Sequence, residues 1–340
     1  MYYKLLLTEA SVKGKEMATD YEGLLSSAIC AAANLKPKNI YFVGCGGSLA
    51  YMIHQQYIVD RETEIPSRVL NSNEFIHRNP KALGSGSLVV LCSHSGTTPE
   101  TVAAATFARK KGALTVAYTH VEGSPLWNAA EYSMLYDWGP ESDAYNHKSG
   151  MALRFIFGFL QALYPSNLYK SAIDITKNLQ SIYTANKVKF AERAAQWGSA
   201  NKRASLIYTM GSGPVYGEAY SFAICLLQEM QWINSAAIHS GEYFHGPFEI
   251  TDYDVPFLLF KTVGETRPLD DRAEAFARKF SKEVTTVDAA DFDWQNIPEE
   301  LKTYFAAPVF GAVTRVYAEQ LAENRGHPLS VRRYMWKMQY

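Results

Sequence analysis

The 340-residue chain reads as an α/β protein of two units, each a parallel sheet flanked by helices. Three observations predict this. Apolar strands alternate with helical stretches through the first half, the order that builds a covered parallel sheet. The same order of strand and glycine turn recurs in the second half. The length suits about two domains at roughly 100–200 residues each.

The elements follow in order. Residues 1–38 are expected as an N-terminal helical segment. Ile40-Tyr41-Phe42-Val43, between Pro37 and Gly44-Cys45-Gly46-Gly47, reads as a buried strand entering a tight turn, with a helix following through Ala50-Tyr51-Met52-Ile53. Arg68-Val69-Leu70 is a candidate strand, and Leu88-Val89-Val90-Leu91-Cys92 is a continuous apolar one followed by a polar loop. Thr101–Lys111 reads as a helix ended by Gly112, and Leu114-Thr115-Val116-Ala117-Tyr118 as the next strand. These make a first domain of 39–150; a helical connection over 151–200 leads to a second domain of 201–340.

The second half repeats this order. Ile40–Gly46 matches Ile207–Gly213 at an offset of 167 residues (207 − 40), and the strand before Gly96 matches Phe257-Leu258-Leu259-Phe260 before Gly264 at 168 (264 − 96). Two strand–loop pairs at nearly one offset point to tandem duplication.

Composition narrows the function. Hydrophobic residues at 47% and charged ones at 20% exclude a disordered chain. A net charge of −1 offers no field for nucleic acid or an anionic membrane, so neither partner is expected. No apolar run nears the ~18–20 residues of a membrane span, and Tyr2–Leu7 is too short for a signal segment, so a cytoplasmic protein is expected. Cys30, Cys45, Cys92 and Cys225 lack C-x-x-C spacing and read as reduced, buried thiols, without a disulfide or zinc site.

Three stretches carry chemistry. Ser93-His94-Ser95-Gly96-Thr97-Thr98-Pro99 follows a buried strand and opens a helix, with Thr98 placed for the cap and Pro99 for the first helical position. Free backbone N–H groups and the hydroxyls of Ser93, Ser95 and Thr98 suit a phosphate monoester, with Gly46, Gly47 and Ser48 approaching from the neighbouring strand. A serine-rich turn that merely caps its helix is the alternative. The equivalent second-half loop, Lys261–Thr266, has lost most of its hydroxyls, so one phosphate site per chain is expected. In a helix spanning Ala219–Ile233, Glu229 stands among Ala223, Leu226, Leu227, Met230 and Ile233, where burial would raise its pKa toward the range of proton transfer. A structural partner for this carboxylate is the alternative. In the third stretch, His239–Pro247, the glycines and proline break any helix that would align His239, Glu242 and His245 on a metal, so no metal is expected; His245 reads as either a surface residue or an acid/base group.

Gly44-Cys45-Gly46-Gly47-Ser48, Ser93–Thr98 and Gly241-Glu242-Tyr243-Phe244-His245-Gly246-Pro247 resemble the three signatures of double sugar-isomerase (SIS) domain proteins. The resemblance implies tandem SIS domains of three-layer αβα, flavodoxin-like form. In the isomerase portion of glucosamine-6-phosphate synthase, a catalytic glutamate lies 16 residues before a histidine, as Glu229 does before His245 (245 − 229). Glu229–Ile233, Ile238–Glu242, His327-Pro328-Leu329 and Arg332–Lys337 most resemble the bacterial deglycases of 6-phosphorylated Amadori products such as fructoselysine and fructose-aspartate phosphates. Two departures from the synthase favour releasing an amine over installing one: only about 38 residues precede the first strand, and Arg333 stands where the synthase has a lysine. An arginine stays protonated and forms no imine.

What the resemblance implies is a deglycase that hydrolyses a 6-phosphorylated sugar–amino acid conjugate to glucose 6-phosphate and the amino acid without a cofactor. Phosphate would rest on Ser48, Ser93, Ser95 and Thr98, with Glu229 and His245 catalytic and Lys148, His239, Glu242 and Arg333 as substrate contacts. Lys148 belongs to a Gly-Pro-Glu…Lys pattern shared with the synthase, and a structural ion pair is its other reading. A homodimer is implied, with the active site at the interface and His245 serving either subunit. The alternatives are an aldose–ketose isomerase or amino-sugar phosphate deaminase using the same proton shuttle, and a sugar-phosphate-sensing binding protein.

Overall fold

A computed structural model describes residues 20–139 and 141–338. Tyr2–Leu7, the first 19 residues of the expected N-terminal helical segment, and Pro140 of the Gly-Pro-Glu pattern lie outside the described residues.

The first half runs α1 (Tyr21–Leu35), β1 (Asn39–Gly44), α2 (Gly46–Glu62), β2 (Ser67–Asn71), α3 (Ser72–Arg78), β3 (Ser87–Cys92), α4 (Pro99–Lys110), β4 (Leu114–Thr119), α5 (Pro125–Ala129) and β5 (Tyr132–Leu135). Its sheet is parallel, in the order β2-β1-β3-β4-β5. Three helices follow, α6 (Lys148–Leu163), α7 (Asn167–Ile175) and α8 (Leu179–Asn201). The second half runs β6 (Tyr208–Gly211), α9 (Tyr216–Ser221), a π-helical continuation Phe222–Gln231, β7 (Ala237–His239), β8 (Phe257–Lys261), α10 (Arg267–Phe280), β9 (Val284–Asp288) and α11 (Glu299–Arg325). Its parallel sheet has the order β7-β6-β8-β9.

The second sheet therefore repeats the first four strands of the first sheet. The loops repeat too: Gly46 and Gly213 follow β1 and β6 at φ +55° and +52°, and Gly96 and Gly264 follow β3 and β8 at +67° and +90°. The left-handed backbone recurs at the same offsets as the sequence match.

Alternation along the strands explains the layers. Ile40, Phe42, Leu88 and Val90 join one core that also takes Phe157 and Phe190 of the connecting helices, and Leu258, Phe260 and Phe310 of the second half. Tyr41, Val43, Val89 and Leu91 face a separate cluster under α3–α5, while Met210, Phe257 and Leu259 face a third with α10. Both faces of each sheet are covered, which is why the strands read as continuous apolar runs. The halves meet where α2 packs on α9. A Cβ on Gly217 would lie 2.4 Å from the carbonyl oxygen of Ala50, and these residues are themselves equivalent (217 − 50 = 167).

Two expectations are corrected. The segment expected as a helix over Ala219–Ile233 is α-helical only to Ser221, then π-helical to Gln231, and Trp232 in the left-handed region ends it. The apolar spacing carried no mark of this change, because α- and π-turns both keep Ala223 and Leu227 on the buried side. Of the four free cysteines only Cys92 is buried; Cys30, on α1, is exposed. β5, β9 and α11 were not anticipated at all.

Candidate active site

The order of the first sheet reverses between β1 and β3, where open parallel sheets bind ligands beyond their carboxyl ends. Both loops of interest emerge there. Gly46 opens α2, whose cap residue Cys45 gives its first turn no side-chain hydrogen bond. Pro99 opens α4 with Thr98 at the cap position, but the Thr98 hydroxyl does not cap. It pairs instead with Ser93 Oγ at 2.8 Å, while Ser95 Oγ meets Thr97 Oγ1 at 2.7 Å. Burial raises the pKa of the Cys92 thiol at the end of β3, with Lys148 and then the Ser48 hydroxyl opposing. Two helix N-termini and a set of hydroxyls thus surround one point, an arrangement suited to an anion. Gly96 is required here: a Cβ would fall 2.0 Å from Ser124 Oγ.

The π-helix runs alongside. A Cβ on Gly47 would lie 3.5 Å from Cys225 Sγ and 3.8 Å from Ser221 Oγ, so the second half reaches the turn that opens α2. Glu229 lies four residues beyond Cys225, and burial together with the Glu229 charge pushes that thiol up to about 11. Burial also raises the Glu229 carboxyl above the usual range, opposed by Arg332. The Arg332 guanidinium, itself buried, sits 2.8 Å from Glu229. It is delivered by the C-terminal tail, which folds back on the end of the π-helix: Gln231 Nε2 donates to the His327 carbonyl at 2.7 Å, and the Arg333 guanidinium stacks over Trp232 at 4.3 Å.

The remaining expected residues are dispersed. Arg333 is exposed on that Trp232 ring, and the arginine paired with Glu229 is its neighbour Arg332. His239 ends β7, accepts a hydrogen bond from the Gly241 N–H through Nδ1 and packs edge-on to Tyr216; burial lowers its pKa, with Glu242 opposing. Glu242 and His245 are exposed, and no side-chain contact within the described residues joins His245 to Glu229.

Lys148, at the start of α6, is the expected residue that faces a cavity of about 440 Å³ between the halves. Its ammonium lies 4.0 Å from the Tyr51 ring centre. Trp138 and His147, stacked at 5.0 Å, form another wall. Burial, then the Lys148 charge, holds both His94 and His147 down to about 4, so they are neutral near pH 7. Glu218 of α9 also faces the cavity; burial pushes its carboxyl up to about 7, with Lys148 opposing. Glu218 is not among the residues the sequence singles out, and Arg332 stands among them only within the C-terminal resemblance. A glutamate on the same face as Ser221 and Leu226 was the available signal for the first; nothing local announced the second.

A profile of the SIS domain matches residues 35–157. The chain is 50% identical to fructosamine deglycase FrlB of Bacillus subtilis, over 89% of this chain and 92% of that protein. The chain belongs to the SIS-domain family. It is also 28% identical to the fructoselysine 6-phosphate deglycase of Escherichia coli, over 84% of each. A Bacillus subtilis crystal structure, described as a candidate phosphosugar isomerase, superposes with a TM-score of 0.89 at 48% identity, covering 94% of this chain and all (100%) of that one.

The two SIS units treat their switch points differently. In the second, the loop after β8 is already occupied by a carboxylate: Asp270 is fully buried and accepts the Thr262 N–H at 3.0 Å. Burial raises its pKa while Ser240, the Thr262 N–H and Ser212 pull it down. The second unit thus holds an internal carboxylate at this loop, whereas the first has hydroxyls that pair with one another.

Proposed function

We propose that the protein is a deglycase that hydrolyses 6-phosphorylated sugar–amino acid conjugates of the Amadori type to glucose 6-phosphate and the free amino acid. The observation that carries the reading is the contact of Gly47, at the hydroxyl-lined anion site of the first SIS unit, with the π-helix that bears Glu229 in the second. The 50% identity to a fructosamine deglycase supports the same chemistry.

The reading assigns roles as follows. The phosphate docks on Ser48, Ser93, Ser95 and Thr98 and on the N–H groups of Gly46 and Gly47, so that binding energy remote from the reaction positions C1 and C2. His245 assists ring opening. Glu229, as the carboxylate, takes the proton from C1 of the open-chain ketose while the C2 oxygen takes one from solvent, forming the enaminol, and returns its proton to C2, which leaves the nitrogen as a protonated imine. The product is the Schiff base of the aldose, and water adds to its C1=N bond to release the amine. Arg332 lowers the Glu229 pKa against the effect of burial, which favours the carboxylate form that the base needs.

A panel of 6-phosphofructosamine conjugates, with glucose 6-phosphate followed by a coupled dehydrogenase, tests this. The wild type releases glucose 6-phosphate, and Glu229→Gln lowers kcat by ~10²–10⁴-fold with an unchanged circular dichroism spectrum. Isomerisation of a simple hexose phosphate without cleavage of any conjugate would make the protein an isomerase instead.

A further inference from the structure

The cavity between the halves holds two opposite charges that leave each other unpaired. Lys148 has no ion pair among the described residues; its ammonium lies over the rings of Tyr51, at 4.0 Å, and Tyr136, at 6.0 Å. Glu218 has neither an ion pair nor a hydrogen bond there, although the two groups are near enough for Lys148 to oppose the rise in the Glu218 pKa. Half-buried charges without partners are unfavourable, and a ligand carrying both complementary charges relieves both. The other charged pair at this cavity, Arg315 and Glu319, is satisfied at 2.7 Å and exposed. Lys187 also lines the cavity from an exposed position, and the uncharged part of the wall is the rings of Tyr51, Trp138 and Tyr183 with the neutral His147, which suits an ammonium group. Its volume is within the range of small-molecule sites.

Its position gives the ligand an orientation. Ser221 lines the cavity and also lies against Gly47. The Lys148 ammonium lies 6.0 Å from the ring centre of Tyr136, whose hydroxyl meets Nδ1 of His94 in the hydroxyl loop at 2.9 Å. A molecule with phosphate on that loop therefore extends past Gly47 into the cavity. We infer that this cavity is the subsite for the amino-acid half of the conjugate, with Lys148 binding its carboxylate and Glu218 its ammonium group. This rests on the deglycase reading. The ammonium is either the free one of a lysine joined through its side chain or the linking nitrogen of an amino acid joined through its α-amine.

The test measures KM and kcat on three 6-phosphofructosamines: of lysine joined through the side chain, of alanine joined through the α-amine, and of butylamine. The wild type should show a KM at least ~10-fold lower for one or both amino-acid conjugates than for butylamine, the effect of one charge-assisted contact. Lys148→Gln should remove that preference without changing the butylamine KM, and Lys148→Arg should restore it. Glu218→Gln should raise KM by ~10-fold or more, for the lysine conjugate alone if the free ammonium is bound, and for alanine and butylamine alike if the linking nitrogen is. No wild-type preference, an equal effect of Lys148→Gln on all three, or an effect of Glu218→Gln on kcat alone would overturn the subsite while leaving the deglycase reading in place. If no conjugate is cleaved, calorimetric titration of the same compounds decides: a Lys148-dependent preference keeps the subsite without the deglycase reading, and its absence removes both.

Discussion

Glu229 shows how one side chain acquires its properties from two distant parts of the chain. Its helix buries it and raises its pKa; the tail brings Arg332, which lowers it. The sign of a test follows. Arg332→Met removes the positive charge, so the Glu229 pKa rises further and a larger share of the carboxyl is protonated at a given pH. The acidic limb of the pH profile of kcat/KM should move to higher pH, with the rate at alkaline pH least affected. An unmoved acidic limb would show that Glu229 is not the base. The sequence made Glu229 legible through its apolar surroundings and its distance from His245, whereas Arg332 was illegible as its partner. A hundred residues of intervening fold decide that pairing, and no local rule encodes it.

Strands, glycine turns and the Pro-started helix were the most legible elements, since each is specified by neighbouring residues: apolar runs by burial on two faces, Gly46 and Gly96 by their positive φ, and Pro99 by the free N–H of a helix start. The π-helix was not, because its side-chain pattern also satisfies an α-helix over so short a span. Extra residues in such turns recur at functional sites; here the turn carries both Cys225 against Gly47 and Glu229 beyond it. The contact of α2 with α9 depends on the missing Cβ of Gly217, and its obstacle is backbone, which cannot rotate away. Gly217→Ala should separate these helices and cost about 1–3 kcal/mol of stability. A lowered urea midpoint at unchanged m-value would show it. Because the same helices border the cavity, its KM for any cleaved conjugate should rise as well.

At the scale of the whole molecule, two sheets of the same strand order carry different loops. The first unit carries the hydroxyl loop at its switch point, and the second holds the buried Asp270 at its own and carries Glu229, Glu218 and the His245 loop. His245 is exposed and without a side-chain contact to Glu229 in the single chain, which fits service to a neighbouring subunit's site. If the enzyme is a dimer of that kind, mixing inactive Glu229→Gln and His245→Asn chains should recover up to about one quarter of wild-type sites overall, from random pairing in which half the dimers are mixed and each mixed dimer has one intact site. No recovery, with subunit exchange verified by mass, would place both residues in one chain's site.

By itself the sequence determined the α/β class, the repeated order of strand and turn, and the hydroxyl loop, because these follow from burial, backbone conformation and helix starts within a few residues. Tertiary structure alone decided which charges meet: Arg332 on Glu229, Asp270 in the second switch point, and Lys148 and Glu218 across one cavity without pairing. Electrostatic partners are set by distance in space, and only the folded chain brings residues so far apart in sequence to within reach of one another.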